Sequence, residues 1–344
     1  MFKIIMMRTI QLFTIGIIAL QGFSVHAQNY SLYHYETVKP RIRVIIDNDF
    51  GGDPDGLFQL VHHILSPSVE IKGIIGSQHY SSGFYGSPGS AAFACTQVDE
   101  LLNTMQLSGK IPIYEGGESG LTDIETPIVS QGANAIVKEA MREDTKLPLY
   151  VVCGAGLTNI ASAYLMEPKI AKRIILIWIG GPEYQGLGIP PPTGKKLEYN
   201  LGIDIKACQV IFNLSDIYIW QVPRDTYRQA LYSYAELVYR IKSNGIIGKY
   251  LIDKLEDLMK RAKRSLGEAY VLGDNPLVLL TALQSSWEVD SSSSRYVIKQ
   301  SPYINESGLY EEAPEGRKIR VYTNLDTRLM LDDLVAKLAL PKMK

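Results

Sequence analysis

RIRVIIDNDFGGDPDGLFQLVHHILSPSVEIKGII, residues Arg41 to Ile75, carries three structural signals in succession. Arg41–Ile46 is an apolar, β-branched run of strand type, Asp53–Leu65 spaces its apolar residues as a helix does, and Val69–Ile75 returns to strand. A strand, helix and strand in this order form a crossover that lays the two strands parallel in one sheet.

The alternation continues outward from this unit. Helices at Ala91–Met105, Asn134–Glu143 and Leu157–Met166 interleave with strands at Ile111–Tyr114, Leu149–Val152 and Arg173–Ile179. This pattern predicts a single α/β domain, a wound and mostly parallel sheet flanked by helices. A Gly/Pro-rich loop, Gly180–Lys196, then precedes a helix at Ile205–Phe212 and a strand at Ile217–Val222. Further on, Arg228–Leu266 has helical spacing and Leu277–Leu283 reads as a buried helix. Arg320–Thr323 leads to a last helix near Leu331–Leu338, and Ser291–Ser294 is a polar turn. Neither an internal repeat nor a linker divides the chain.

Bulk composition agrees with a globular enzyme-sized domain. The 344 residues are 46% hydrophobic, enough for a large core, and disordered and fibrous classes are excluded. At the N-terminus, Lys3 and Arg8 precede the apolar run Ile10–Leu20, followed by Val25-His26-Ala27. This is the pattern of a secretory signal cleaved after Ala27, leaving residues 28–344 as an exported periplasmic or secreted domain. The alternative, an uncleaved anchor, would need roughly 20 apolar residues. Cleavage lowers the 35 basic side chains to 33 against 36 acidic ones, a formal charge of −3. Neither nucleic acid nor an anionic membrane finds an electrostatic footprint there, which points to a small neutral partner. Cys95, Cys153 and Cys208 form no C-x-x-C pair and read as buried free thiols.

The chemistry concentrates where the first strand ends, in Asp47-Asn48-Asp49-Phe50-Gly51-Gly52-Asp53-Pro54-Asp55. In open parallel sheets ligands bind beyond the carboxyl ends of the strands, the position these aspartates would occupy. Carboxylates so close repel one another unless a cation neutralises them, and hard oxygen donors suit calcium or magnesium better than zinc. The bland alternative for Asp53 is an N-cap with Pro54 at the first helical position. An EF-hand is excluded because Phe58 stands at the twelfth loop position, where a bidentate acid belongs. Gly188–Lys196 is no Walker loop, lacking both the spacing and a Ser/Thr after the lysine. Asp47-Asn48-Asp49 also matches the D-x-D of a haloacid-dehalogenase-like phosphatase, but Gly51 stands where that motif prefers Thr or Val.

DNDFGGDPDGLFQLVHHIL resembles the N-terminal aspartate motif of the inosine-uridine-type nucleoside hydrolases, and its GGDPD form looks closer to their sugar-processing relatives. CGAGLTNIASAYLMEPKIAKRIILIWIGG, EYNLGIDIKAC and GDNPLVLL resemble three further family segments in the same order. Together the matches span Ile42 to Leu283.

The resemblance implies calcium-dependent hydrolysis of an N-glycosidic bond of a ribonucleoside-like substrate by a metal-activated water. Asp49, Asp55 and Asp274 would be calcium ligands with a backbone carbonyl near Cys153, and Asp47 would support this metal set from behind. Asp49 would also be the catalytic base, while Asp53, Glu198 and Asn200 would hold the sugar hydroxyls. Relatives often form dimers or tetramers, so a homo-oligomer is expected. Read without the family, Glu198 and Asn200 are an ordinary polar strand end and Asp274 a helix N-cap.

The pattern breaks at the leaving-group end. Members of the family commonly carry a histidine before the late aspartate, as a candidate acid, and Gly273 stands there instead. The donors left to consider are His79, Tyr80 and Tyr184, with His79 placed beside the substrate. An asparagine frequent upstream of the E-F-N segment is replaced by Ile189-Pro-Pro-Pro192. A non-catalytic sugar- or nucleoside-binding relative is therefore the alternative to a hydrolase.

Overall fold

A computed structural model describes residues 37–192, 195–285, 287 and 294–340. The expected signal peptide, residues 1–27, lies outside the described residues, as does most of the Ser291–Ser294 turn.

The opening unit is strand β1 (Ile42–Asn48), helix α1 (Asp55–Ile64) and strand β2 (Val69–Gly76), with β1 and β2 parallel. Helix α2 (Ala91–Thr104), strand β3 (Ile113–Glu115), helix α3 (Gln131–Ala140) and strand β4 (Leu149–Cys153) follow. Helix α4 (Thr158–Met166) and strand β5 (Ile174–Ile179) complete the alternation read from the sequence, with boundaries within a few residues. Two short helices, α5 (Tyr199–Ile203) and α6 (Ile205–Gln209), lead to strand β6 (Tyr218–Val222).

Beyond β6 the chain is more broken than its helical spacing suggests. Helix α7 (Arg224–Tyr227) is followed by strand β7 (Leu231–Ser233), the single turn α8 (Tyr234–Glu236) and a π-helical turn, Leu237–Lys242. The long helix α9 (Gly245–Ala262) starts only at Gly245, whose φ of +71° is left-handed and interrupts any continuous helix from Arg228. Strand β8 (Ala269–Val271) pairs antiparallel with β7, so a small ribbon brackets the helices of the expected stretch and returns the chain to helix α10 (Pro276–Leu279). Strands β9 (Arg295–Gln300), β10 (Tyr303–Ile304), β11 (Tyr310–Glu311) and β12 (Lys318–Asn324) precede helix α11 (Thr327–Ala339).

The main sheet has the order β3-β2-β1-β4-β5-β6-β12-β9, with β9 antiparallel to β12 and every other neighbour parallel. β1 is buried along its whole length, and its alternating side chains feed two cores. Val44 and Ile46 pack beneath α1, α2 and α9 on one face, Ile45 beneath α3 and α4 on the other. Both faces of a parallel sheet are covered here, which is why these strands read as continuous apolar runs. β1 and β4 run side by side, with Asp47 level with Cys153, so their carboxyl ends open at one edge of the sheet. No helix among the described residues is long and apolar enough to cross a membrane. The three cysteines are free, Cys153 and Cys208 fully buried and Cys95 half-buried.

Candidate active site

β1 ends by running Asp47 and Asn48 into the interior and then turning sharply. The turn is closed by Gly52 N–H donating to the Asp49 carbonyl at 2.7 Å, while the Asp49 N–H donates to Asn48 Oδ1 at 2.8 Å. Pro54, not Asp53, is the residue before α1, and no side chain caps that helix. Asp53 is therefore released from capping, and its carboxylate instead accepts the Tyr270 hydroxyl from β8. Asp274 likewise caps nothing with its side chain; α10 follows Asn275, and Asp274 Oδ2 accepts from Asn48 Nδ2 at 2.9 Å. The ordinary helix-cap readings of both aspartates are thereby set aside.

The loop meets the ends of β4, β5 and β8 in an open cleft of about 200 Å³. Asp49, Asp53, Asp55, Glu198, Asn200 and Asp274 all line it. Two glycines permit this convergence. A Cβ on Gly154, just past β4, would stand 2.7 Å from Asp274 Oδ1 and 2.6 Å from Asn48 Nδ2; one on Gly273 would stand 3.0 Å from Asp55 Oδ2.

Glu198 is not a plain strand end. Its Oε2 accepts the N–H groups of Gly181 at 2.8 Å and Leu201 at 3.0 Å, capping α5, and its Oε1 accepts the Tyr227 hydroxyl at 3.0 Å. Asn200 donates its amide to the carbonyls of Ile179 at 2.7 Å and Gly154 at 3.3 Å, so its Oδ1 is the group left for a ligand.

Electrostatics of the loop are dominated by burial. Removal from water pushes the Asp49 and Asp55 carboxyls well above their ordinary range, and each is pushed further by the charges of Asp274 and Asp53. Burial raises Asp274 to about 7, against the Asn48 hydrogen bond, and Asp53 to about 6, against that of Tyr270. Without a counter-charge this set cannot be fully ionised near neutrality. Among the described residues no three His, Cys, Asp or Glu side chains stand as a ready-made metal cluster, so a cation would draw on carboxylates from several elements together with backbone carbonyls. The donors are nevertheless all hard oxygens with uncompensated charge, the chemistry that fits a hard divalent cation.

Asp47 sits behind this set. It is fully buried, accepts from the Ser77 hydroxyl and from Asn159 Nδ2 at 3.2 Å, and does not line the cleft. Its position also removes it as the leading nucleophile of a D-x-D phosphatase. The Cys153 thiol is turned to the carbonyls of Gly156 at 3.4 Å and Ala155 at 3.5 Å, and Cys153 does not line the cleft, whereas the next residue, Gly154, does.

His79 does not reach the cleft lining either. The chain turns after β2, the His79 N–H donates to the Gly89 carbonyl at 3.0 Å, and the ring packs edge-on to Phe84 at 6.3 Å between centroids. The substrate-side position expected for His79 is thus taken by Phe84. Tyr80 donates its hydroxyl to the Tyr199 carbonyl at 3.2 Å, and Tyr184 is buried with its hydroxyl on Gln221 Oε1 at 2.6 Å. The sequence reading missed Phe84, Tyr199 and Tyr227 in the lining and Tyr270 behind Asp53. Phe84-Tyr85 between Gly83 and Gly86, both with φ near +80°, was a legible turn signal that nothing tied to the cleft.

A family model described as inosine-uridine preferring nucleoside hydrolase matches residues 44–331. The chain belongs to the inosine-uridine preferring nucleoside hydrolase family. Within that family it is 28% identical over 203 residues to an inosine-uridine preferring nucleoside hydrolase of Crithidia fasciculata, covering 52% of this chain and 58% of the relative. A Leishmania major protein of the same description is 25% identical over 189 residues, 50% of this chain and 57% of the relative. The matches thus span a little over half the length of these curated relatives.

The fold of this nucleoside hydrolase family member is also that of solved structures. A plant nucleoside hydrolase superimposes with a TM-score of 0.66 at 19% identity, over 88% of this chain and 100% of the other. A purine-preferring ribonucleoside hydrolase from Gardnerella vaginalis gives 0.65 at 18%, over 86% and 98%.

Proposed function

We propose that this protein hydrolyses the N-glycosidic bond of a ribonucleoside-like substrate in the cleft at the carboxyl ends of β1, β4 and β5, with calcium as its cofactor. The observation that carries the reading is the convergence of Asp49, Asp53, Asp55, Glu198, Asn200 and Asp274, from loops far apart in sequence, on one cleft in a member of this family.

Asp49, Asp55 and Asp274, with a backbone carbonyl near Cys153, would hold the ion. When bound, calcium offsets the repulsion among these carboxylates and eases deprotonation of water beside it. Asp49, set on the tight turn after β1, accepts the proton of the attacking water. Asp53, fixed by Tyr270, and Glu198, fixed by two backbone N–H groups and Tyr227, receive sugar hydroxyls, and the Asn200 Oδ1 accepts another. The same carboxylates stabilise the positive charge that develops on the ring in an oxocarbenium-like transition state. No covalent intermediate is required. Export after cleavage at Ala27 is part of the same proposal.

The test is reducing-sugar release from a panel of ribonucleosides by the mature protein, after chelation and again with calcium restored. Release that vanishes on chelation and returns with calcium supports the reading, and chelation-insensitive turnover overturns the calcium dependence. The second reading, a binding protein without turnover, is favoured by Gly273 at the place of the family's candidate acid. Calcium-dependent binding of ribose with no release from any nucleoside would establish it.

A further inference from the structure

The leaving-group end of the cleft is built from aromatic rings and negative charge. Phe84 and Tyr199 line it, at 6.1 Å between centroids and an interplanar angle of 84°, so an edge of one meets a face of the other. Tyr85 extends the patch, 4.9 Å from Phe84, and already carries the Arg264 guanidinium 5.3 Å from its ring centre. Tyr80 backs Tyr199 at 5.0 Å and fixes its ring. Tyr199 is 38% exposed, so its ring is accessible to a ligand.

The charge lining the cleft beside these rings has one sign, while Arg264 over Tyr85 and Arg261, which donates to the Phe84 and Tyr85 carbonyls, stand outside the lining. Asp49, Asp53, Asp55, Glu198 and Asp274 line the cleft, and among the described residues no Lys, Arg or His does so. A divalent cation would offset only two of these five charges. Aromatic faces near net negative charge attract cations, all the more where water is excluded.

A neutral base would need a proton as it departs, and among the described residues the donors at this end of the cleft are engaged elsewhere or, in Tyr199, hold their proton tightly. Gly273 supplies no side chain, and a Cβ there would already stand 3.0 Å from Asp55 Oδ2. His79 packs behind Phe84 outside the lining. The Tyr227 hydroxyl is given to Glu198 at 3.0 Å, that of Tyr80 to the Tyr199 carbonyl at 3.2 Å. Burial and the charge of Asp49 hold the Tyr199 proton more tightly than in water, which makes it a poor acid.

Resting on the hydrolase reading above, we infer that the substrate is a ribonucleoside whose base is already cationic, an N-alkylated purine or an N-ribosyl pyridinium, held against Tyr199 and Phe84 and released without a proton from the protein. The C1′–N bond breaks with its electron pair passing to the ring nitrogen, which cancels the positive charge of the base. Water forms the new C1′–O bond and its proton goes to Asp49. The products are free ribose and a neutral base, and no co-reactant is needed.

Two matched pairs of substrates test this with the mature, calcium-loaded protein: 7-methylinosine against inosine, and nicotinamide riboside against its neutral 1,4-dihydro form. The expected kcat/KM is at least about 100-fold higher for the cationic member of each pair, the span one proton-transfer catalyst supplies. The pH profile for nicotinamide riboside, whose ring has no titrating proton, should lack an alkaline limb, since no protein acid must stay protonated. Tyr199→Leu should raise KM for the cation about 10-fold while leaving the ratio of the neutral pair members' KM values in place, and Tyr199→Phe should recover the loss. Equal or faster turnover of the neutral members overturns the inference while leaving the hydrolase reading intact, as does a Tyr199→Phe loss as deep as that of Tyr199→Leu. Turnover of none of the four overturns the hydrolase reading itself.

Discussion

Replacing Asp47 by Asn should make the metal-free protein more stable at alkaline pH, although it deletes a charge from the family's aspartate motif. Asp47 is fully buried, and burial lifts its carboxyl from 3.8 to about 7 against the opposing hydrogen bonds of Ser77 and Asn159. The folded state therefore holds a proton between these two values that the unfolded state has released. In that window stability falls as pH rises, because the native state binds more protons. At 1.36 kcal/mol per pH unit, complete ionisation of Asp47 costs about 4 kcal/mol. The amide of Asn is isosteric with the protonated acid, so Asp47→Asn should already lead the wild type by roughly 1–2 kcal/mol at pH 5, where the unfolded aspartate is ionised and the folded one is not. By pH 8.5 the variant should lead by roughly 2–4 kcal/mol, which at this chain length is roughly 4–8 °C in Tm. Thermal unfolding in chelator across pH 5 to 8.5, read by calorimetry, measures the difference directly. A variant less stable than the wild type at pH 8.5 in chelator would refute the argument that uncompensated burial governs this loop.

Three further outcomes follow from the same geometry. Tyr270→Phe removes the hydroxyl that Asp53 accepts, so the Asp53 carboxyl should rise above about 6. The acidic limb of kcat/KM then moves to higher pH, with a loss of about 10-fold at pH 6 that shrinks at pH 8, seen in the pH–rate profile. Glu198→Gln leaves one amide oxygen for the Gly181 and Leu201 N–H groups and the Tyr227 hydroxyl, and should cost about 2 kcal/mol of stability and about 100-fold in kcat/KM by denaturant unfolding and initial rates. Gly273→Ala places a methyl 3.0 Å from Asp55 Oδ2 and must displace that carboxylate. Calcium affinity by titration calorimetry should fall about 10-fold while Tm in chelator changes little.

The wound sheet was legible because parallel strands buried on both faces read as unbroken apolar runs, and Val44–Ile46, Val151-Val152 and Ile174–Ile179 are such runs. The ribbon β7–β8 and strands β9 to β11 were not, since each is two to six residues long and half-exposed, too short for a period to show. In the site, the carboxylates announced themselves because like charges packed at a strand end demand a reason. Their partners did not. That Tyr270 holds Asp53 across 217 positions, or that Asn48 holds Asp274 across 226, is a fact of topology that no local spacing carries. Glu198 could be quoted from its segment, but not its double duty as a helix cap and as the acceptor of Tyr227. His79 was placed by its nearness to the end of β2; the turn through Gly83 and Gly86 instead brings Phe84 over the cleft.

The most direct measurement is single-turnover nucleoside hydrolysis by the calcium-loaded protein and its Asp49→Asn variant, with Tm recorded on both. Asp49 is the one carboxylate assigned to take the proton of water, so the account predicts a rate lower by about 10²–10⁴-fold in the variant, with a Tm in chelator no lower than the wild type's. An Asp49→Asn protein that hydrolyses at the wild-type rate would contradict it.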